Sequence, residues 1–120
     1  MNELHLPTTP LSVNAAWKGR RYKTDAYIWY EREIHKLVKL CPPTEPIDGL
    51  IEVWYTFHLK NHKKTDYDNL LKPLQDVLQK CGVIVEDRFI YDAHVKKRPE
   101  TENGDLIIVE IRPSSWSGDV

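Results

Sequence analysis

Two hydrophobic spacings alternate along this chain of 120 residues, and each predicts a different kind of secondary structure. From residue 25 to residue 41, apolar side chains recur every three or four positions, which predicts an amphipathic helix that ends before Pro42. From residue 50 to residue 59, apolar and polar side chains alternate, which predicts a strand with one buried face. Shorter patterns predict further strands at residues 1–6, 88–97 and 105–112.

A second helix is predicted after the polar segment 61–66, which we expect to be a loop. Its apolar positions have helical spacing: Leu70, Leu71, Leu74, Val77, Leu78 and Cys81. Gly82 follows them and suits the position just past a helix end. Pro73 disturbs this pattern, because a proline in a helix interior costs about 3 kcal/mol. We therefore expect the regular helix to begin at Pro73, with residues 68–72 forming a turn that leads into it.

The order of these elements predicts one small α+β domain over residues 1–120, with a mixed β-sheet of about four strands packed with two main helices. A loop is expected at residues 7–24, which hold two prolines and Gly19, and a flexible tail at 113–120. The hydrophobic content of 41% is enough for a core and argues against disorder.

Several classes of protein are disfavoured. No apolar run approaches the ~18 residues that a membrane-spanning helix needs, and no solenoid-type repeat appears. Residues 1–3 lack the basic start and apolar core of a signal peptide, so we expect a cytoplasmic protein. Cys41 and Cys81 do not make a disulfide framework or a zinc site, and each is expected to be a small buried hydrophobe.

Charge is balanced in total but clustered in position. The net charge is -1, which by itself predicts no nucleic-acid partner. Three short stretches nevertheless contain basic residues without acids, and we call them the first, second and third basic clusters: Lys18, Arg20, Arg21 and Lys23; Lys60, Lys63 and Lys64; Lys96, Lys97 and Arg98. Each cluster alone is typical of a solvated loop. If they converge in space, they could bind the phosphates of a nucleic acid.

The candidate chemistry lies where the second helix begins. Asp66 and Asp68 are two residues apart, so in extended backbone both carboxylates project to the same side and can reach one ion. Carboxylates without Cys or His suit Mg²⁺ or Mn²⁺ rather than zinc. A calcium-binding EF-hand loop is excluded, because Leu70 and Leu71 stand where that loop needs a ligand and a glycine. The other interpretation is an aspartate that caps the helix beside a solvated neighbour.

A further acidic pair, Glu86 and Asp87, immediately precedes the predicted strand at 88–97. If that strand lies beside the strand that ends near residue 59, Asp87 could meet Asp66 and Asp68 at one end of the sheet. The acids would then form one cluster that could share an ion.

Lys72 and Asp76 share a face of the second helix, because they are four residues apart. One interpretation makes them a surface ion pair worth ~0.3 kcal/mol. The other makes Lys72 a cation beside a carboxylate–metal centre, where it could hold a phosphate or stabilise a leaving oxygen.

One stretch resembles the signature of the RusA-type Holliday junction resolvases: residues 66–78, DYDNLLKPLQDVL, followed by Gly82 and by Glu86 and Asp87. The likeness is strongest over residues 50–98. Near the N-terminus, PLSVN at residues 10–14 and the basic residues after it are similar to the family's Pro-x-Ser-x-Asn and Arg/Lys segment. Spacing and residue type both agree, which makes the resemblance more specific than an isolated pair of acids.

The resemblance implies a homodimeric endodeoxyribonuclease that resolves four-way DNA junctions in recombination and repair, by paired cleavage with Mg²⁺ or, as a substitute, Mn²⁺. It implies that Asp66, Asp68 and Asp87 bind the metal and that Lys72 is catalytic beside them. Contacts to DNA are expected from two asparagines and most residues of the basic clusters: Asn14, Lys18, Arg20, Arg21, Lys23, Lys60, Lys63, Lys64, Asn69, Lys96 and Lys97. No organic cofactor and no membrane partner are expected.

Two departures from the family stand out. Relatives often carry two aspartates where this chain has Glu86 and Asp87, and the near-neutral charge differs from the basic balance expected of a junction binder. Two other functions remain open at this stage. One is a non-catalytic module that binds branched DNA and holds a structural cation, and the other is a less selective metal-dependent nuclease.

Overall fold

The computed structural model describes residues 2–18, 22–42, 45 and 47–116. In chain order the elements are β1 (Asn2–Leu6), α1 (Val13–Ala16), β2 (Trp17–Lys18), β3 (Tyr22–Lys23), α2 (Asp25–Leu40), β4 (Ile51–His58), α3 (Asp68–Lys80), a 3₁₀ turn (Asp87–Phe89), β5 (Ile90–Arg98) and β6 (Leu106–Pro113). Within those described ranges, every helix is too short or too polar to cross a membrane.

Four strands form one mixed sheet in the order β1-β6-β4-β5. β6 pairs antiparallel with both β1 and β4, whereas β4 and β5 run parallel, with Tyr55 opposite Val95 in their register. Parallel neighbours need a long crossover connection, and here the crossover contains α3. The predicted α+β class is confirmed, with a four-stranded mixed sheet packed with two main helices.

A single hydrophobic core joins the sheet to both main helices. Every second residue of β4 is buried and those between are half-buried, as the alternating sequence predicts. The helices contribute Tyr27, Tyr30 and Ile34 from α2, and Leu70, Leu74, Val77 and Leu78 from α3. Burial of these side chains holds α3 in place, and α3 carries the residues of interest.

Replacing Leu74 with alanine is expected to lower the free energy of unfolding by about 2–5 kcal/mol, because its side chain is 0% exposed in the core. The matched control is Leu40→Ala, since Leu40 ends α2 and is 75% exposed. That control should change stability by less than about 0.5 kcal/mol. Urea unfolding measures both variants. Equal losses would show that Leu74 does not anchor α3.

α2 confirms the helix predicted at residues 25–41, and both of its ends have local causes. At its start, the Thr24 hydroxyl oxygen accepts a hydrogen bond from the backbone N–H of Tyr27 at 3.2 Å. At its end, the last helical residue is Leu40, two positions before Pro42, which cannot continue a helix.

α3 begins earlier than the sequence predicts, so the predicted start at Pro73 is wrong. The helix runs from Asp68, and Pro73 lies inside it with its ring buried. Packing of that ring in the core offsets the missing hydrogen-bond donor, because tertiary contacts supply most helical stability. The predicted end is confirmed. Gly82 has a φ of 77°, and the Val83 N–H donates to the Leu78 carbonyl at 3.0 Å, as in a Schellman motif.

Residues 7–24 are not the plain loop that the sequence predicts. They contain α1 and the short antiparallel pair of β2 and β3. Thr24 holds this segment together: its hydroxyl donates to the Ala15 carbonyl at 2.6 Å, and its N–H donates to the Ala16 carbonyl at 3.0 Å. These contacts join residues eight and nine positions apart, so local composition does not reveal them.

Two smaller expectations concern the cysteines and the tail. Cys41 and Cys81 are free thiols, but both are half-buried rather than fully buried. Of the tail predicted at 113–120, the structure describes residues up to 116, and there the Ser114 N–H donates to the Leu50 carbonyl at 2.9 Å. Residues 117–120 lie outside the described ranges.

Candidate active site

One face of α3 carries charged side chains of alternating sign at Asp68, Lys72 and Asp76. Side chains four residues apart are neighbours along a helix, so these three form one column. The Lys72 ammonium lies 3.0 Å from Asp76 Oδ1 and 3.1 Å from Asp87 Oδ2. The predicted ion pair between Lys72 and Asp76 is therefore present, and Lys72 forms a second ion pair with Asp87, which lies outside α3.

The chain that leaves α3 folds back and presents Asp87 to this face. Val83 and Ile84 are buried in the core and anchor the returning segment. The Asp87 N–H donates to Gln79 Oε1, on the last turn of α3, at 3.2 Å. Two apolar anchors and one hydrogen bond thus fix the position of a carboxylate far from Lys72 in sequence.

Glu86, the other member of the acidic pair, points to a different partner. Its Oε2 atom accepts a hydrogen bond from Arg88 Nε at 2.7 Å. Of the two acids, Asp87 is therefore the one that contacts Lys72.

The charge state of Lys72 follows from its two partners. Hydrogen bonds to Asp76, first, and to Asp87 raise the pKa of Lys72 above its usual value of 10.5. Its side chain remains 59% exposed, so it can meet a ligand from solvent. Lys72 is therefore an ammonium at neutral pH, which suits it to bind an anion rather than to accept a proton.

Asp66 and Asp68 flank the start of α3 without capping it. The residue at the N-cap is Tyr67, whose side chain makes no capping hydrogen bond, so the capping interpretation of the aspartates is wrong. Both aspartate side chains are exposed, and neither carboxylate has a hydrogen-bond or ion-pair partner among the described residues. Their oxygens are open to a ligand from solvent.

The donor chemistry of these acids fits a hard divalent cation, because Mg²⁺ and Mn²⁺ prefer carboxylate oxygens. Among the residues that the structure describes, however, no group of three or more His, Cys, Asp or Glu side chains is arranged so that it could hold a metal ion. The strand at β5 does lie beside β4, as the sequence hypothesis required. Sharing of one ion by Asp66, Asp68 and Asp87 stays a prediction.

The parallel course of β4 and β5 explains where the acids lie. Asp66 and Asp68 follow the carboxyl end of β4, whereas Asp87 precedes the amino end of β5. In a parallel pair these are opposite ends of the sheet, and α3 runs between them, so the prediction that the three acids meet at one end of the sheet is wrong. Lys72, in the second turn of α3, is the side chain that contacts Asp87.

The second and third basic clusters converge. The second cluster follows the carboxyl end of β4, and the third forms the carboxyl end of β5. Because β4 and β5 are parallel, these two ends lie at the same edge of the sheet. The Leu59 N–H donates to the Arg98 carbonyl at 3.1 Å, which joins the two segments directly. Lys60, Lys63, Lys64 and Lys96 are exposed there. This basic edge adjoins the loop that carries Asp66 and Asp68.

Lys97 differs from the other lysines of the basic edge. It is half-buried, and its ammonium donates to the backbone carbonyl of Thr65. Thr65 immediately precedes Asp66, so this bond ties β5 to the loop that positions the two aspartates. Lys97 therefore supports the loop, a role that its place in a basic cluster does not reveal.

The first basic cluster is described only in part. Arg20, Arg21 and the side chain of Lys18 lie outside the described residues. Lys23 is described, and its ammonium lies 2.6 Å from Glu31 Oε1. The two predicted asparagines are Asn14, exposed on α1, and Asn69, half-buried in the first turn of α3. The structure does not test their contacts with DNA.

Sequence reasoning missed one group of polar residues beside this face. Glu31 on α2 and Lys80 at the end of α3 form an ion pair of 2.8 Å, although they are 49 positions apart. Gln79, the acceptor for the Asp87 N–H, was likewise not a candidate. Each looks like an ordinary surface residue of an amphipathic helix, so the sequence carries no signal for them.

Two comparisons with known proteins bear on this site. Residues 7–112 match the family model described as "Endodeoxyribonuclease RusA". A curated relative, the "Crossover junction endodeoxyribonuclease RusA" of Aquifex aeolicus (strain VF5), is 40% identical to this chain over 86 residues. That match covers 72% of this chain and 62% of the relative, so it spans less than two thirds of the relative's length.

Proposed function

The chain belongs to the RusA endodeoxyribonuclease family, and on that basis we propose that it is an endodeoxyribonuclease that resolves four-way DNA junctions by paired, metal-dependent cleavage. The observation that carries the proposal is the Lys72 ammonium, held 3.0 Å from Asp76 and 3.1 Å from Asp87 on an exposed face of α3. A preorganised cation that can face the charge developing on a phosphate is one means by which an enzyme accelerates phosphodiester cleavage.

Lys72 is proposed to contact the phosphate that is cut. An ammonium has three N–H donors, and Asp76 and Asp87 accept two of them, which leaves one for a phosphate oxygen. Its positive charge stabilises the negative charge that develops on the departing 3′ oxygen. Asp76 and Asp87 orient the ammonium before the substrate arrives, so little reorganisation is needed.

Asp66, Asp68 and Asp87 are proposed to hold Mg²⁺, with Mn²⁺ as a substitute, because their carboxylate oxygens suit these ions. When bound, such an ion polarises a phosphate and lowers the pKa of a water molecule. The carboxylates of Asp66 and Asp68 are exposed and have no partner within the described part of the chain, which supports this assignment. Of these three acids, Asp87 is the one that contacts the Lys72 ammonium, at 3.1 Å.

Paired cleavage requires two active sites related by a twofold axis, so we propose that the protein acts as a homodimer. The basic edge formed by the second and third clusters would bind phosphates that flank the cut, which positions the DNA without reading its bases. Light scattering of the purified protein, with and without a junction, tests the dimer. A monomer in both states would contradict it.

The decisive experiment offers a synthetic four-way junction and a linear duplex of the same sequence, each with and without Mg²⁺. We expect paired nicks in the junction alone, and only with the metal. Binding without any cleavage would instead indicate a DNA-binding module with a structural cation. Equal cleavage of the linear duplex would indicate a less selective nuclease. Cleavage at an undiminished rate in a chelator would refute the metal dependence.

Junction binding is expected to weaken steeply with salt, because each neutralised phosphate contributes about −0.9 to the slope of log affinity against log salt. The double variant Lys63→Ala/Lys64→Ala, in the second basic cluster, should make that slope shallower by about 1–2. Lys36→Ala/Lys39→Ala is the matched control, since it removes two exposed lysines from α2. Fluorescence anisotropy at several salt concentrations measures the slopes. Identical slopes for the two double variants would contradict a role for the basic edge.

A further inference from the structure

A second charged cluster lies beside the candidate active site and joins three elements of the fold. Glu31 Oε1, on α2, lies 2.6 Å from the ammonium of Lys23 on β3 and 2.8 Å from the ammonium of Lys80 on α3. Because one carboxylate oxygen binds both ammonium groups, these lie side by side. Lys23, Lys80 and Glu31 together carry one excess positive charge. The neighbouring carboxylate of Asp76 is paired with the Lys72 ammonium at 3.0 Å.

Both ammonium groups also lie over the same aromatic ring. Lys23 Nζ is 4.9 Å and Lys80 Nζ is 5.6 Å from the centroid of the Tyr27 ring, within the range of cation–π contacts. Tyr27 is only 1% exposed. The two ammonium groups therefore pack against the Tyr27 ring, and a nucleic-acid base cannot stack on it.

These lysines line an open cavity of about 370 Å³ that we call the lysine pocket; its walls are Lys23, Tyr27, Asp76, Gln79 and Lys80. Two of its residues also belong to the candidate active site. Asp76 binds the Lys72 ammonium, and Gln79 accepts the Asp87 N–H. The pocket is therefore continuous with the face of α3 that would contact the cut phosphate.

We propose that the lysine pocket binds a second backbone phosphate of the DNA, close to the phosphate that Lys72 contacts. The inference rests on the proposed function and adds a site to it. Each ammonium uses one donor on Glu31 and keeps two for a phosphate oxygen. The side chains of Lys23 and Lys80 remain 33% and 48% exposed, so an anion can reach them.

Glu31 acts as a positioning residue in this site. It holds the flexible ends of two lysines at one place, so that a phosphate meets them already oriented, at a lower entropic cost. A phosphate held there fixes how the strand lies along α3 relative to Lys72. The pocket therefore positions the DNA strand, and Lys72 takes part in the cleavage reaction.

The test is Lys80→Ala, compared with Lys36→Ala as a control that removes one exposed lysine from α2, away from the pocket. Junction affinity is measured by fluorescence anisotropy over a range of salt concentrations. We expect Lys80→Ala to weaken binding by about 3–10-fold and to reduce the salt slope by about 1, as for loss of one phosphate contact. Lys80→Arg, which keeps the charge, should restore most of the affinity. Lys80→Ala that binds like the wild type and the control would overturn the proposal.

Lys23→Ala examines the other ammonium and guards against a folding defect at Lys80. It should weaken junction binding by a similar factor, and thermal unfolding of every variant confirms that each is folded. Weakening by Lys80→Ala but not by Lys23→Ala would overturn the paired site.

A wild-type protein that neither binds nor cuts the junction would refute the proposed function itself. A wild type that cuts, with lysine variants of unchanged affinity, would refute the lysine pocket alone.

Discussion

Replacing Asp68 with asparagine is expected to abolish cleavage of a four-way junction while the protein still binds that junction. The change removes one carboxylate charge and keeps the size of the side chain, so the proposed metal ligand is lost without a steric change. Removing a residue that only hydrogen-bonds to a metal ligand typically lowers activity by about 10–100-fold. Removal of a direct ligand should have a larger effect, so we expect the cleavage rate to fall by at least about 100-fold. Single-turnover cleavage of a labelled junction, beside a gel-shift titration, measures both properties.

The fold should not change in this variant, because Asp68 is exposed and does not cap α3. Asp25→Asn is the matched control: Asp25 is also exposed and also opens a helix, α2, but lies away from Lys72. It should cleave at the wild-type rate. Cleavage by Asp68→Asn at the wild-type rate would reject the metal-binding role of Asp68.

The second large effect is expected from Lys72→Ala, which should lower the cleavage rate by about 10²–10³-fold. The physical reason is the loss of the preorganised cation that is proposed to contact the phosphate and the leaving oxygen. The Lys72 side chain is 59% exposed in both ion pairs, so their loss should change stability by no more than about 1 kcal/mol. Thermal unfolding and single-turnover cleavage, measured on the same preparation, separate the two effects.

The alternative for Lys72 is a purely structural ion pair, and it predicts a different outcome. In that case Lys72→Ala would cleave normally, with at most a small loss of stability. In either case Lys72 stays an ammonium through the neutral range, because its carboxylate partners raise its pKa. The Lys72→Ala variant therefore separates the two roles, and a pH profile does not.

The acidic neighbours of Lys72 orient its ammonium, but their negative charge disfavours DNA binding. Carboxylates repel a polyanion, so the exposed acids near α3 oppose binding unless cations or lysines balance them. The basic edge adjoins the loop before α3, and the lysine pocket includes the end of α3, so both place positive charge near these acids. A net charge of -1 is thus compatible with DNA binding, because the local field, rather than the total charge, acts on a nearby phosphate.

The sequence alone determined the main elements of this protein, because their signals are local. Alternation in β4 and helical spacing in α2 predict both elements almost to the residue, since burial of one face imposes those periods. Gly82 likewise predicts the end of α3, because few other residues adopt its positive φ. The column of Asp68, Lys72 and Asp76 also follows from spacing alone.

Only the tertiary structure decided how these elements meet. Pro73 stays inside α3 because its ring is buried in the core, a gain that no local propensity includes. The contact of Asp87 with Lys72, the bond from Lys97 to Thr65 and the pairing of Glu31 with Lys80 join distant segments. Such contacts depend on strand order and on the path of the crossover, which a one-dimensional pattern does not specify. The sequence therefore determined the candidate side chains on α3, and the fold decided which side chains lie in contact, including Glu31 and Lys80, which no local pattern reveals.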